Sequence, residues 1–453
     1  MRYFRFRADF SAHGAFCVRL LCAAAVCLAF FSCATVDPYT QVDHLVETEA
    51  FPQSVEVLEE SSKKIYRGKD RVLYYLDKGM LSHYAEDWGG SSALLQQGER
   101  AIEENFAVSI SQEIGTYLVN DLSREYDGED YEDLYLNVFN ALNYYHRSKD
   151  GEVSLDEALV EIRRMDNKLK NLSVKYGTMI STLQKAALEN NTEIPPNPET
   201  PREFSNSALA RYLGMLFYRG EGAMDDARID RDGLKLAFAD YPDIYSHPVP
   251  SSIDGELEIP PGMARLNVLG FSGRLPVKTE ETLRIPIGLS WIKIALPVLA
   301  SRPSRIESVQ VVFDSGERFD LELLEDIGKV AKTTFARKQD VIYLRTIIRA
   351  TVKGVSAAVL NAMAETDDEH GALFSVLGIG AQIFAEASEK ADLRSTRYFP
   401  GKVYAGGINL EPGIYSFTVA YYGINGDIVA KRYFENMEVK ANKLNLTEAV
   451  CLK

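Results

Sequence analysis

The histidines are the first residues to consider for metal or acid–base chemistry, because imidazole binds zinc and titrates near neutral pH. The chain has six, at His13, His44, His83, His146, His247 and His370. They do not stand at metal-ligand spacing, and no Cys-x-x-Cys accompanies them. The sequence also lacks a Gly-x-Ser-x-Gly nucleophile elbow and a Walker loop. We therefore expect no metal, no cofactor and no catalytic residues, and the protein is not expected to be an enzyme.

The densest acidic stretch runs from Tyr126 to Glu132. Its Asp127-Gly128 pair predicts a turn, and Asp130 is a suitable cap for a following helix. The alternating ligands of an EF-hand are absent, so capping is favoured over metal binding. No two carboxylates stand out, and a hydrolase with an unrecognised carboxylate site stays open as an alternative.

The N-terminal segment has the composition of a secretory signal. Arginines at positions 2, 5 and 7 precede twelve uncharged, mostly apolar residues at 20–31, and the small Ser32 follows. Twelve residues rise about 18 Å as a helix, well short of a bilayer core of roughly 30 Å. We predict that residues 1–32 are a signal peptide.

The sequence Phe30-Phe31-Ser32-Cys33 resembles a bacterial lipobox, in which the chain is cut before a lipidated cysteine. The resemblance implies that Cys33 carries acyl chains such as palmitate, which would hold the protein on a membrane. Ala34 lacks the aspartate that retains some lipoproteins at the inner membrane, so we expect the outer membrane, facing the periplasm. Residues 33–60 are predicted to be the lipid anchor and tether.

Cysteine count and charge exclude other classes. Cys17, Cys22 and Cys27 belong to the signal, so only Cys33 and Cys451 remain afterwards, and an acylated Cys33 leaves no disulfide framework. The 453-residue chain carries a formal charge of −15 and shows no basic stripe. Nucleic acid is therefore not an expected partner, and no small-molecule substrate is evident.

Residues 61–245 have helical periodicity. Gly79, Ser91 and Gly98 occupy small positions and Trp88 and Leu95 large ones, with a spacing that resembles a tetratricopeptide repeat. Further helix pairs are predicted around 138–162 and 213–227. A plain helical bundle is the alternative, because its helices also place small residues where they cross.

The pattern changes at residue 246 to one typical of β-structure. Alternation of apolar residues on both sides of Ser315-Gly316 predicts a hairpin, and Asn425-Gly426 predicts another tight turn. We predict a mixed domain at 246–395, with β-hairpins and a helical hairpin at 341–363 and 371–384. A small antiparallel β-sandwich is predicted at 396–453, so that the fold class is α+β.

Several short motifs, taken in order, resemble a family of uncharacterised bacterial envelope lipoproteins with repeat-like helices followed by a mixed β domain. They include Asp70-Arg71-Val72-Leu73-Tyr74, Leu118-Val119-Asn120-Asp121, Tyr126 with Gly128, Ala141-Leu142-Asn143-Tyr144, Asp225-Asp226-Ala227-Arg228, Pro276-Val277-Lys278, Ile294-Ala295-Leu296-Pro297, Ala391-Asp392-Leu393-Arg394 and Leu410-Glu411-Pro412-Gly413-Ile414-Tyr415. The resemblance implies a lipoprotein that works beside other lipoproteins or proteins of the outer membrane. It implies no catalytic residues.

We therefore predict a non-catalytic scaffold for protein–protein interaction, since stacked helix pairs present an extended binding surface. Candidate contact residues are polar ones near the helix pairs: Asn120, Tyr126, Asn140, Asn143, Tyr144 and Arg164. The alternative for each is to cap a helix or brace a loop. A second function stays open, in which the apolar helices at 341–386 lie on a membrane as a membrane-active or transport accessory.

Overall fold

The computed structural model describes residues 39–111, 122, 124–189, 203–287, 290–366 and 390–453. The helices in these ranges are α1 (Thr40–Glu47), α2 (Phe51–Ile65), α3 (Arg71–Tyr84), α4 (Trp88–Ser111), α5 (Asp130–Lys149), α6 (Asp156–Glu189), α7 (Ala208–Gly220), α8 (Met224–Asp240) and α9 (Ile327–Thr366). The strands are β1 (Ala264–Ser272), β2 (Val277–Ile287), β3 (Ser290–Ala300), β4 (Ser308–Phe313), β5 (Arg318–Glu325), β6 (Lys402–Leu410), β7 (Gly413–Tyr422), β8 (Ile428–Val439) and β9 (Asn445–Cys451). The fold is α+β, with helices followed by a mixed sheet.

Residues 40–60, which we expected to belong to a tether, lie in two packed helices instead, the second of which continues to Ile65. α1 buries Val42 and Val46, and α2 buries Phe51 and Leu58. Spacings of four and seven residues put each pair on one helix face, which packs into the core. The described part of the chain is therefore held in the fold from its first helix onward.

The predicted helix pair at Gly79 is confirmed. An added Cβ at Gly79 would lie 2.8 Å from Leu95 Cδ2, and one at Gly98 would lie 2.8 Å from Leu76 Cδ2. Ser91 Oγ donates a 2.8 Å hydrogen bond to the Gly79 carbonyl. α3 and α4 thus approach too closely for larger residues at these positions.

The other two predicted helix pairs are also formed. α5 packs on α6 and α7 packs on α8. The three pairs begin at Arg71, Asp130 and Ala208. The intervals between these starting residues are much longer than the roughly 34 residues of a tetratricopeptide repeat. The fold therefore contains helix pairs, but the pairs do not recur at a regular interval.

A seven-stranded sheet has the order β8-β7-β4-β5-β6-β1-β9, and β2 and β3 form a separate hairpin. The predicted β4–β5 hairpin is confirmed, with Val309 opposite Leu321 and Gly316 at φ +92° in the turn. The predicted turn at Asn425-Gly426 is confirmed too, with Gly426 at φ +76° between β7 and β8. Such positive φ values favour glycine.

The strands of 396–453 do not form a separate sandwich. β6 lies between β5 and β1, β7 pairs with β4, and β9 runs parallel to β1. These strands therefore share one sheet with strands of the preceding segment, since each needs a partner from it to complete its hydrogen bonds.

The sheet curls towards a barrel and separates two apolar cores. Along β1, Leu269 and Phe271 face the helices, whereas Leu266 and Val268 face an inner core. An added Cβ at Gly270 would lie 3.1 Å from Val309 Cγ1 on β4, a strand that does not neighbour β1 in the sheet. Curvature therefore encloses the inner core, while the other face packs on the helices.

α6 and α9 extend past the main core. They have 34 and 40 residues, or lengths of about 51 and 60 Å. Beyond Leu169 of α6, a separate apolar cluster joins Tyr176 and Leu183 to Val341 and Leu344 of α9. We call residues 172–189 of α6, with the adjoining part of α9, the arm. The predicted partner helix of α9 at 371–384 lies outside the described residues.

Candidate functional site

Three of the predicted contact residues are buried. Tyr126 and Asn143 are 1% and 0% exposed, and Asn140 is 0% exposed. Tyr126 Oη donates to Glu132 Oε2 at 2.7 Å, and Asn143 lies between His83 and Ser91. Buried side chains offer no surface to a partner, so these three residues belong to the core rather than to a contact surface.

The remaining predicted site residues fall into two groups. Tyr144 is half-buried and accepts a hydrogen bond from Gln96, while Arg164 is half-exposed and pairs with Glu99 and Glu161. Both are accessible, but they are held by neighbours on their own helices or adjacent ones. Asn120 and Cys33 lie outside the described residues.

A cavity of about 570 Å³ opens where the helices meet the sheet. Its wall combines the start of α1, the turn before α3, the start of β2, the loop after β3 and the segment 390–397. The lining residues that carry charge are Asp70, Lys278, Glu280, Arg302, Lys390, Arg394 and Arg397. The wall is therefore mainly cationic in a chain whose net charge is −15.

Buried carboxylates fix the segment that carries Arg394 and Arg397. Thr396 donates from its backbone N–H to Glu132 Oε1 at 2.8 Å, and the backbone N–H of Arg397 donates to Asp77 Oδ1 at 2.7 Å. Both carboxylates are fully buried. The backbone of this irregular segment is therefore held in place, because its N–H groups have acceptors inside the core.

The two arginine side chains of this segment are also held. Arg394 donates to Asp70 Oδ1 at 2.9 Å and to Asp392 Oδ2 at 2.7 Å. Arg397 binds Asp43 Oδ2 at 2.6 Å, with its guanidinium 4.2 Å from the centre of the Tyr39 ring. The motifs that begin at Asp70 and Ala391, which were noted separately in the sequence, therefore meet at this cavity.

Burial raises the pKa of Asp77 to about 7, although the Arg397 N–H and Tyr66 Oη oppose the shift. Burial and the nearby Glu129 also raise the pKa of Glu132. Such shifts often mark catalytic acids, but structural networks produce them too. Because both carboxyl groups are enclosed and accept hydrogen bonds from the 394–397 segment, they position this segment.

Arg302 differs from the other arginines of the wall. Its Nε donates to the Leu275 carbonyl at 2.6 Å, while Nη2 is buried and has no hydrogen-bond partner among the described residues. Burial, then Arg274 and Arg397, lower the pKa of Arg302 to about 10. The group is still charged at neutral pH. The mainly cationic wall of the cavity is therefore suited to binding an anion.

The described ranges contain no group of histidine, cysteine, aspartate and glutamate side chains that could hold a metal ion. They also contain no helix that is both long and apolar enough to cross a bilayer.

No protein-family model, no curated protein and no solved structure matches the chain.

Proposed function

We propose that the chain is a non-catalytic docking protein of the bacterial envelope, anchored by acyl chains on Cys33 and facing the periplasm from the outer membrane. The single observation that carries the docking role is the arm, in which α6 and α9 extend side by side beyond the main core. A projecting helix pair with a small core of its own contributes little to the stability of the body and much to the surface that a partner can reach.

The arm exposes apolar side chains. Val174 is 69% exposed and Leu188 is 76% exposed, both on α6. These two residues are the candidate contacts for a protein partner on the arm. The family resemblance points to a partner among other envelope lipoproteins or outer-membrane proteins.

The position of α1 supports the anchoring role. Tyr39 follows Cys33 by six positions, and even a fully extended chain of that length reaches only about 22 Å. Val42 and Val46 of α1 are buried in the core. An acylated Cys33 would therefore hold the folded body close to the membrane surface.

Metabolic labelling with a palmitate analogue tests the anchor. Wild-type protein should be labelled and the Cys33→Ala variant should not, because acylation needs this thiol. Equal labelling of the two proteins would defeat the anchor.

Crosslinking in intact cells tests docking through the arm. We expect the double substitution Val174→Asp and Leu188→Asp to abolish a crosslinked species that the wild type forms. The matched control carries Ile229→Asp and Leu236→Asp on α8, which are 66% and 55% exposed. The arm is not the docking surface if both variants keep the same crosslinked species while remaining folded.

A further inference from the structure

We propose that the cavity beside Arg302 binds a phosphate group. The first reason is that Arg302 lines the cavity with no carboxylate at ion-pair distance among the described residues. Asp43 and Asp77 favour its charge from farther away, but among its nitrogens only Nε has a hydrogen-bond acceptor. An unpaired charge that is partly withdrawn from water is costly, so an anionic ligand would stabilise this site.

The second reason is the charge around Arg302. Arg397 binds Asp43 at 2.6 Å, and Arg274 lies 3.3 Å from Asp43 and 3.7 Å from Glu47. Arg302 adds a third guanidinium beside them, and burial with these two neighbours lowers its pKa, although Asp43 and Asp77 oppose the shift. This cluster of guanidinium groups favours an anion with several acceptor oxygens.

Phosphate fits that description better than a single carboxylate does. Guanidinium groups bind phosphate oxygens through two parallel hydrogen bonds, and the several oxygens of phosphate can serve more than one arginine. Arg394 and Lys278 line the same wall, where Asp70 and Asp392 pair with Arg394 and Glu129 pairs with Lys278. A volume of about 570 Å³ exceeds what a bare ion fills and suits a phosphate that belongs to a larger molecule.

Two sources of phosphate are possible, a lipid headgroup and a soluble phosphorylated compound. The headgroup is favoured because Tyr39, which lines the cavity, lies only six residues from Cys33. This step rests on the proposed anchor, whereas the phosphate site itself does not.

Calorimetric titration of the detergent-solubilised full chain tests the proposal. The probes are inorganic phosphate, a soluble short-chain phosphatidylglycerol, and phosphatidylcholine with the same acyl chains. We expect wild-type protein to bind phosphate, and Arg302→Gln to weaken the binding about tenfold or more. Arg302→Lys should restore part of it. The matched control, Arg318→Gln, removes an exposed arginine at the start of β5 and should bind like the wild type.

The two lipid probes distinguish the sources. Tighter binding of phosphatidylglycerol than of inorganic phosphate, lost with Arg302→Gln, identifies a headgroup. Equal or weaker binding identifies a soluble ligand. The proposal is overturned if wild-type protein binds none of the probes, or if Arg302→Gln binds them as tightly as the wild type does.

A second measurement does not depend on any variant being folded. Phenylglyoxal modifies accessible arginines, and mass spectrometry locates the modified residues. Phosphate should protect Arg302 but not Arg318, and equal modification with and without phosphate would overturn the proposal. Failure of the palmitate labelling would defeat the anchor and leave this result standing.

Discussion

His83 Nε2 lies 3.3 Å from Glu448 Oε1, and this contact links α3 to the last strand of the sheet. His146 Nε2 lies 2.9 Å from the same oxygen, and the Trp88 ring stacks on the His146 ring at 4.1 Å. His83 and Glu448 are 2% and 10% exposed at their side chains. One carboxylate therefore holds two imidazoles at the junction between helices and sheet.

Hydrogen bonds orient the His83 ring. Ser91 Oγ donates to the Gly79 carbonyl, so it accepts from Asn143 Nδ2. Asn143 Oδ1 then faces His83 Nδ1 at 2.7 Å. The His83 ring thereby presents Nε2 to Glu448.

We predict that Glu448→Gln lowers the free energy of unfolding by about 3 kcal/mol near pH 6, because it removes the buried carboxylate that both imidazoles contact. Burial alone would raise the pKa of Glu448, but His83 and His146 lower it well below its usual range. The folded pKa is thus below the value of about 4.3 in an unfolded chain. This contribution is complete above about pH 5 and is lost as the pH falls further.

Urea unfolding of wild type and Glu448→Gln between pH 6 and pH 3 checks this prediction. The difference in stability should shrink as the pH falls. A difference that is constant across this range would show that Glu448 acts through packing rather than charge.

Glu325→Ala should destabilise the fold by about 3 kcal/mol. The buried Glu325 carboxylate accepts hydrogen bonds from the hydroxyls of Tyr135 and Tyr245, each at 2.6 Å, and from Ser207. Removal leaves these donors buried without a partner. Thermal unfolding measures the effect, and Glu317→Ala on the exposed β4–β5 turn, expected to be near neutral, is the control.

Glu256 and Asp254 provide a buried and an exposed ion pair two residues apart. Glu256 is fully buried and binds Arg219 at 2.7 Å and Arg265 at 2.8 Å. Glu256→Ala should cost about 3 to 5 kcal/mol, since it strands two buried cations. Asp254 is exposed and paired with Lys235, so Asp254→Ala should lower the free energy of unfolding by about 0.5 kcal/mol or less. Similar losses for the two substitutions in denaturant titrations would contradict this assignment.

Two glycine-to-alanine substitutions should change the free energy of unfolding in opposite directions. Gly79→Ala should destabilise by about 1 to 3 kcal/mol, because the new methyl group meets the fully buried Leu95. Gly177 lies within α6 with nothing near its Cβ position, so Gly177→Ala should stabilise by roughly 1 kcal/mol through helix propensity. Melting temperatures of the two variants decide the matter, and a stabilising Gly79→Ala would mean that Leu95 yields freely.

Residue spacing along the sequence correctly predicted one helix crossing and one hairpin turn. The small residues Gly79 and Gly98 marked a helix crossing, and Gly316 marked a hairpin turn, because a few neighbouring residues determine these geometries. The tether prediction for residues 33–60 was wrong from residue 40 onward. Pro52 does not interrupt α2, because it lies in the first turn of the helix, where proline is tolerated.

The candidate site depends on contacts that no local pattern reveals. Tyr126 and Asn143 looked like surface residues because polar residues are usually exposed, yet Glu132 and His83 satisfy them inside the core. Arg302 had no signal at all in the sequence, since its significance arises only when Arg397 lies beside it. The motifs at Asp70 and Ala391 were recognised in the sequence, but nothing in the sequence predicted that they meet at the cavity.

The parallel pairing of β1 with β9 ties the start of the sheet to the end of the chain, with Leu266 opposite Asn445 and Ser272 opposite Cys451. β1 is therefore made long before its partner β9, and the inner core cannot close until β9 has been synthesised. Pairing over such sequence separation is slow. The sheet is therefore expected to form later in folding than the helix pairs, whose partners are neighbours along the chain.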